Sequence, residues 1–172
     1  MGKRGVGADV PGTAKPKAIT VASATGEGPT PLAAFDAALH GAGIANYNLI
    51  VLSSVIPPNA ILKRGVFGSR EDEYGDRLYV VMARCFASEP GTAAWSGLGW
   101  MQEERTGRGL FVELHGDEER KVTQAISDTL EAMRSTREIS YGPVETEIVG
   151  ITCRSQPVCA VVVAVYQSEG WQ

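Results

Sequence analysis

The chain has 172 residues, 44% of them hydrophobic, which is enough apolar surface to bury one sizeable core within a single domain. Its formal charge of -4 lacks the basic footprint of a general nucleic-acid binder and mildly favours a cationic partner. Cys85, Cys153 and Cys159 are odd in number, have no paired metal-ligand spacing and lie far in sequence from His40 and His115, so they read as reduced structural thiols with no metal site.

Residues 1–17 are rich in Gly, Pro, Lys and Ala and contain no apolar run long enough for a secretory signal or a membrane span. They are expected to form a flexible N-terminal tail, with Lys3, Arg4, Lys15 and Lys17 as solvated charges, before a single domain at 18–172 with a cytoplasmic location. Ala18 to Ala22 reads as a strand, closed by the Gly26-Glu27-Gly28 turn. A helix follows: Thr30 is a natural N-cap, Pro31 suits the first helical position, and Gly41 and Gly43 supply the stop. Leu32, Phe35 and Leu39 fall on one of its faces.

A strand from Asn48 to Ser53 and a short one around Ala60 to Lys63 come next, then a glycine-rich, charged loop from Gly65 to Asp76. Arg77 to Ala87 and Thr92 to Met101 read as strands joined by the Glu89-Pro90-Gly91 turn, and Leu110 to His115 as another. Asp117 is expected to cap a helix running to about Arg134, with Val122, Ile126, Leu130 and Met133 as its buried stripe. The last two strands lie near Glu145 to Arg154 and Val158 to Gln167. Ala160 to Ala164 is so apolar that both faces of the last strand must be covered. This order suggests an α+β layered domain built from a duplicated β-α-β-β pattern, with helices outside.

The run from Asn48 to Pro58 drives an apolar strand into the pair Ser53-Ser54 and then into Pro57-Pro58, which cannot continue a ladder. Two hydroxyls beside a turn commonly bond local backbone and open a loop. Alternatively, a hydroxyl held at such a strand exit attacks the preceding carbonyl, given a donor for the developing oxyanion. The bond at risk is Ser53–Ser54.

Thr30 to Leu39, followed by Gly41 to Asn46, the Asn48 to Pro58 run and Gly109-Leu110-Phe111-Val112-Glu113-Leu114 leading through Gly116 into a helix, resembles the pyruvoyl-dependent arginine decarboxylase family. The resemblance extends from about Ala18 to Tyr166. It implies self-cleavage into a β chain of residues 1–53 and an α chain of residues 54–172 that begins with a covalent pyruvoyl group derived from Ser54. It also implies a four-layer αββα sandwich that assembles as a homotrimer with active sites at subunit interfaces. The reaction implied is decarboxylation of L-arginine to agmatine and CO2 through a Schiff base on the pyruvoyl carbonyl, with no metal, nucleic acid or membrane involved.

Residue by residue, Glu113 is either an ordinary strand glutamate or an acid. In an alternating strand it shares a face with Phe111 and His115, and a carboxyl packed beside an aromatic ring favours its protonated form. The resemblance assigns Glu113 the proton donation. Asp36 is either a helix-surface aspartate or, as the resemblance implies, the carboxylate that receives the guanidinium; Ala33, Phe35, Ala37 and Leu39 leave few polar neighbours around it. Asn48 matches the family's asparagine close to the cleavage site, a catalytic position whose amide the resemblance implies helps orient the pyruvoyl group or the substrate, and its spacing to the serines favours it over Asn46. Leu32 and Val55 match positions lining the family's substrate pocket, where core packing is the alternative. Two departures bear on arginine specificity: Ala45 stands where relatives carry glycine, and the loop from Gly65 to Glu73 is more acidic than the family pattern. An autoprocessing hydrolase that keeps Ser54 as its N-terminal nucleophile, and an uncut trimeric scaffold, are the other readings.

Overall fold

In the computed structural model, which describes residues 17–171, strand alternation sorts side chains onto opposite sheet faces and thereby builds three apolar layers. The first strand, β1 (Lys17–Glu27), leads through the helix α1 (Pro31–Ala42) to β2 (Asn48–Val51), β3 (Val55–Ile56), β4 (Ala60–Arg64) and β5 (Arg77–Ala87). Strands β6 (Ala93–Gln102) and β7 (Gly109–Gly116), helix α2 (Glu119–Ser135), and strands β8 (Glu145–Thr152) and β9 (Val158–Glu169) complete the described chain. One sheet has the order β2-β5-β9-β1-β4 and the other β3-β7-β6-β8.

Helix α1 covers the outer face of the five-stranded sheet through Ala34, Ala38 and Leu39, which meet Ala22, Val161 and Val163. Between the sheets lie Ile19, Val21, Leu98, Trp100, Phe111 and Val162. Val122, Ile126 and Leu130 seat α2 on the other sheet. The result is the expected αββα sandwich of an α+β chain. The β-α-β-β order is met by β1-α1-β2-β3 and β7-α2-β8-β9, yet the sheets are not contiguous halves of the sequence, because β9 inserts between β5 and β1. Val158 to Tyr166 is buried over the first nine residues of that central strand, where each valine contributes roughly 1.5–3 kcal/mol. Ser96, buried between the sheets, keeps its hydroxyl satisfied by donating to the Ala160 carbonyl at 2.9 Å.

Local chemistry explains the element ends. Thr30 Oγ1 accepts from the Ala33 N–H at 3.2 Å, Pro31 opens α1, and Gly43 closes it with φ of 81°, in the left-handed region that favours glycine. β1 continues past its expected end at Ala22 because β9 pairs with it as far as Glu27. The residue before α2 is Glu118 rather than Asp117 and makes no side-chain cap; both acids instead meet Lys121 at 2.7 and 3.6 Å. The loop between β4 and β5 contains a short 3-10 turn, Glu71–Glu73, which is tied down where Glu73 accepts from the hydroxyls of Tyr47 and Ser168. The flexible tail expected at residues 1–17 lies outside the described residues except for Lys17, which opens β1. No helix among the described residues is long and apolar enough to cross a membrane.

Candidate active site

The apolar run at Asn48 breaks at the serines, before the prolines. β2 ends at Val51, the Leu52 N–H still donates to the Val80 carbonyl at 2.8 Å, and the chain then crosses from one sheet to the other to form β3. Ser53 and Ser54 are therefore the link between two edge strands of different sheets. β2 is held by β5 and β3 by β7, so each side of the link is anchored independently. Val51 and Val55, on either side of the serines, are exposed at 61% and 58%, an apolar rim around an exposed Ser53 and a half-buried Ser54.

Around Ser54 three hydrogen bonds converge. Its hydroxyl donates to Glu113 Oε1. The Val55 N–H donates to the Ser53 carbonyl at 2.8 Å, closing a three-residue turn about Ser54. The Phe111 N–H donates to the Ser54 carbonyl at 2.9 Å. Glu113 reaches Ser54 because it stands opposite Leu98 on β6, which turns both toward the layer between the sheets. Tyr166, 7% exposed at the end of the buried run of β9, donates its hydroxyl to the Val55 carbonyl at 2.9 Å and packs edge-on against Phe111. Burial, and then the charge of Glu113, push the Tyr166 hydroxyl far above the ordinary phenol range, so it remains a donor.

This arrangement sets a nucleophilic oxygen on a proton acceptor and puts a backbone donor on the carbonyl oxygen that would become negative. The residues present therefore fit the self-made group the sequence resemblance implies. Sequence reasoning found Ser53, Ser54, Val55 and Glu113, which meet here. It missed Tyr166 and the two backbone donors; the one available signal was a hydroxyl-bearing residue ending the apolar run of the last strand.

Leu32, Asp36 and Asn48 lie elsewhere in the protomer. α1 occupies the far side of the five-stranded sheet, so at least about 10 Å of sheet and core separates Asp36 from Ser54. Asp36 is exposed, against the expectation from its apolar neighbours, because Ala34, Ala38, Leu39 and Ala42 are the residues α1 turns inward. Its carboxylate lies 3.6 Å from His40 Nε2, one turn along. Leu32, 75% exposed, shares with Asp36 an open recess of about 520 Å³ that Thr30, Ala33, Phe35 and Leu39 also line. Asn48 begins β2 at the end remote from Ser54; its backbone N–H donates to the Asp76 carbonyl at 2.8 Å and its side-chain amide to Gly75.

Comparison with known proteins bears on the whole of this region. Residues 18–169 match the family described as "Pyruvoyl-dependent arginine decarboxylase (PvlArgDC)". The chain is 41% identical over 95 residues to the "Pyruvoyl-dependent arginine decarboxylase" of Halobacterium salinarum, a match covering 55% of this chain and 58% of that protein. It thus spans under two thirds of that relative's length. Against the protein of the same name from Thermococcus kodakarensis it is 31% identical over 151 residues, covering 87% of this chain and 94% of the other. Among solved structures, "Structure of pyruvoyl-dependent histidine decarboxylase at pH 8" is similar at a TM-score of 0.39 and 16% identity, over 54% of this chain and 51% of that one. With its matched span running from β1 to the end of β9, the chain belongs to the pyruvoyl-dependent arginine decarboxylase family.

Proposed function

We propose that the chain cuts itself between Ser53 and Ser54 and then decarboxylates L-arginine to agmatine and CO2. The observation that carries this reading is the hydroxyl of Ser54 resting on the Glu113 carboxylate, at the crossing between two separately anchored edge strands. Glu113 takes the hydroxyl proton, the oxygen attacks the Ser53 carbonyl carbon, and the Val55 N–H holds the resulting negative oxygen. The acyl group of Ser53 passes from nitrogen to oxygen as an ester, β-elimination releases residues 1–53 as a carboxylate, and hydrolysis of the remaining dehydroalanine releases ammonia. Scission leaves both strands in place because neither depends on the severed bond for its pairing.

The pyruvoyl group made in this way offers a carbonyl for the substrate α-amine and an electron sink for the pair left by CO2. The protein's residues supply the rest. Glu113, freed from Ser54 after scission, is positioned to return a proton to the substrate carbon. Asp36 and Leu32 form the recess for the guanidinium and its aliphatic stem, Val55 lines the other side, and Asn48 orients the bound molecule. Since Asp36 and Ser54 lie on opposite faces of one sheet, the complete site joins the α1 recess of one protomer to the Ser54 crossing of its neighbour in a homotrimer. The exposed Leu32, Val51 and Val55 are the apolar surface such a contact would cover. Agmatine formation would place the enzyme in arginine catabolism on the way to polyamine biosynthesis, in the cytoplasm.

A denaturing mass spectrum with arginine turnover tests the reading. The expected result is two fragments, the larger starting at residue 54 without its amine, and CO2 release that Ser54→Ala abolishes while remaining one chain. A larger fragment that retains a serine amine would indicate a hydrolase instead. An intact chain that releases no CO2 would indicate a scaffold, and agmatine formed by Ser54→Ala would overturn the mechanism.

A further inference from the structure

Scission turns residue 54 into a chain end at the start of a very short strand. β3 comprises only Val55 and Ile56, paired with Leu110 and Gly109, and Pro57 follows it without an N–H to extend the ladder. The Val55 N–H loses the covalent tether of its partner when Ser53 is cut away. What still holds the end is the Phe111 N–H on the residue-54 carbonyl, the Tyr166 hydroxyl on the Val55 carbonyl and the buried Ile56 side chain. Among the described residues, Tyr166 is the one side chain bonded to the main chain of β3.

The Phe111 N–H lies 2.9 Å from the carbonyl oxygen of residue 54, which in the pyruvoyl form would be conjugated with the reacting carbonyl and would share any negative charge developing there. Whether the donor stays aimed depends on what fixes the next residue. We propose that Tyr166 is a positioning residue for the reaction: by clamping the Val55 carbonyl it keeps the residue-54 carbonyl seated on the Phe111 N–H after the chain is cut. The phenol is well suited to this. Its ring is locked edge-on to Phe111 at a centroid distance of 6.3 Å, and burial keeps its proton in place, so the hydrogen bond persists across the working pH range. In the uncut chain the same clamp is redundant, because Ser54 is tethered on both sides.

This inference rests on the proposed self-cleavage and arginine turnover, and its test separates the two. Wild type and Tyr166→Phe are purified as full chains, and their fragments, amide hydrogen exchange, melting temperature and arginine kinetics are compared. Tyr166→Phe should give the same two fragments, and loss of one buried hydrogen bond should cost about tenfold in kcat with KM changed by less than about twofold. The specific readout is the Phe111 amide: its exchange should quicken about tenfold while the β6–β7 amides remain as protected as in wild type. Unchanged Phe111 protection would overturn the inference, as would a uniform loss of protection across β7 with a lower melting temperature. Should Tyr166→Phe fail to fold, 3-fluorotyrosine at 166 keeps ring and hydroxyl and provides a stronger donor; Phe111 protection at or above the wild-type level is expected, and reduced protection would overturn the proposal. If wild type itself is uncut or releases no CO2, the function reading fails and the inference fails with it. A cut, active wild type with an unresponsive Phe111 amide sinks the inference alone.

Discussion

Under the proposed reaction one carboxylate, Glu113, would meet two different requirements in turn. It accepts from the Ser54 hydroxyl, the geometry a base for scission needs, and in the cut chain the same group would face the substrate carbon as an acid. Glu113→Gln keeps the shape and removes the base, so scission should slow by about a hundredfold or more, followed on a denaturing gel over time. Cleavage at the wild-type rate would remove Glu113 from the first role. The contrast is with Cys159, where burial pushes the thiol up to about 11 and so favours the protonated, unreactive form. Residue type, proline breaks and strand parity made Ser54 and Glu113 candidates, and the family resemblance chose between their alternatives. Tyr166 was not among them, because nothing in a strand's own sequence states which distant carbonyl a side chain at the end of its buried run will meet.

Among the elements, α1 shows how a correct helix can bury an unexpected face. The Leu32, Phe35 and Leu39 stripe predicted an ordinary apolar contact, whereas the helix presents Ala34, Ala38 and Ala42 together with Leu39. The reason is close approach: a Cβ at Gly26 on β1 would run into the Ala34 carbonyl and the Ala38 nitrogen. Small residues on the helix and glycine on the strand let the backbones touch, and Leu32 is left outside for the recess it shares with Asp36. Gly26→Ala should therefore destabilise the protein by about 1–3 kcal/mol through overpacking, read as a lower melting temperature in calorimetry. Scission should be spared, since Ser54 lies on the other face of the sheet. An unaltered melting temperature would mean that α1 can slide away without cost.

On the scale of the molecule, the proposed site residues fall on two surfaces of the chain. Ser54, Val55 and Glu113 occupy the crossing between the sheets, whereas Leu32 and Asp36 occupy the outer layer. If the working site joins two copies, damage to different halves can be complemented. Asp36→Asn and Ser54→Ala chains, each nearly inactive alone, should regain activity when co-expressed. With random assortment, about a quarter of the interfaces pair an intact crossing with an intact recess. Failure to exceed the sum of the separate activities, with mixed trimers verified by mass spectrometry, would place both halves within a single chain.

Residue chemistry and periodicity alone determine much of this protein: the capped helix from Pro31, the covered apolar run of the last strand, the strand exit at the serine pair, and the parity that aligns Glu113 with Phe111. These are local properties, carried by hydroxyl caps, glycine conformations and the two-residue repeat of a strand, and they operate over a few residues. Only the tertiary structure decided that β9 inserts between β5 and β1, that the serines bridge two edge strands, that Asn48 and Asp36 stand away from Ser54, and that Tyr166 closes on Val55. Such facts depend on which strands become neighbours. That choice is made by burying surface contributed from the whole chain, and no short window of sequence contains it.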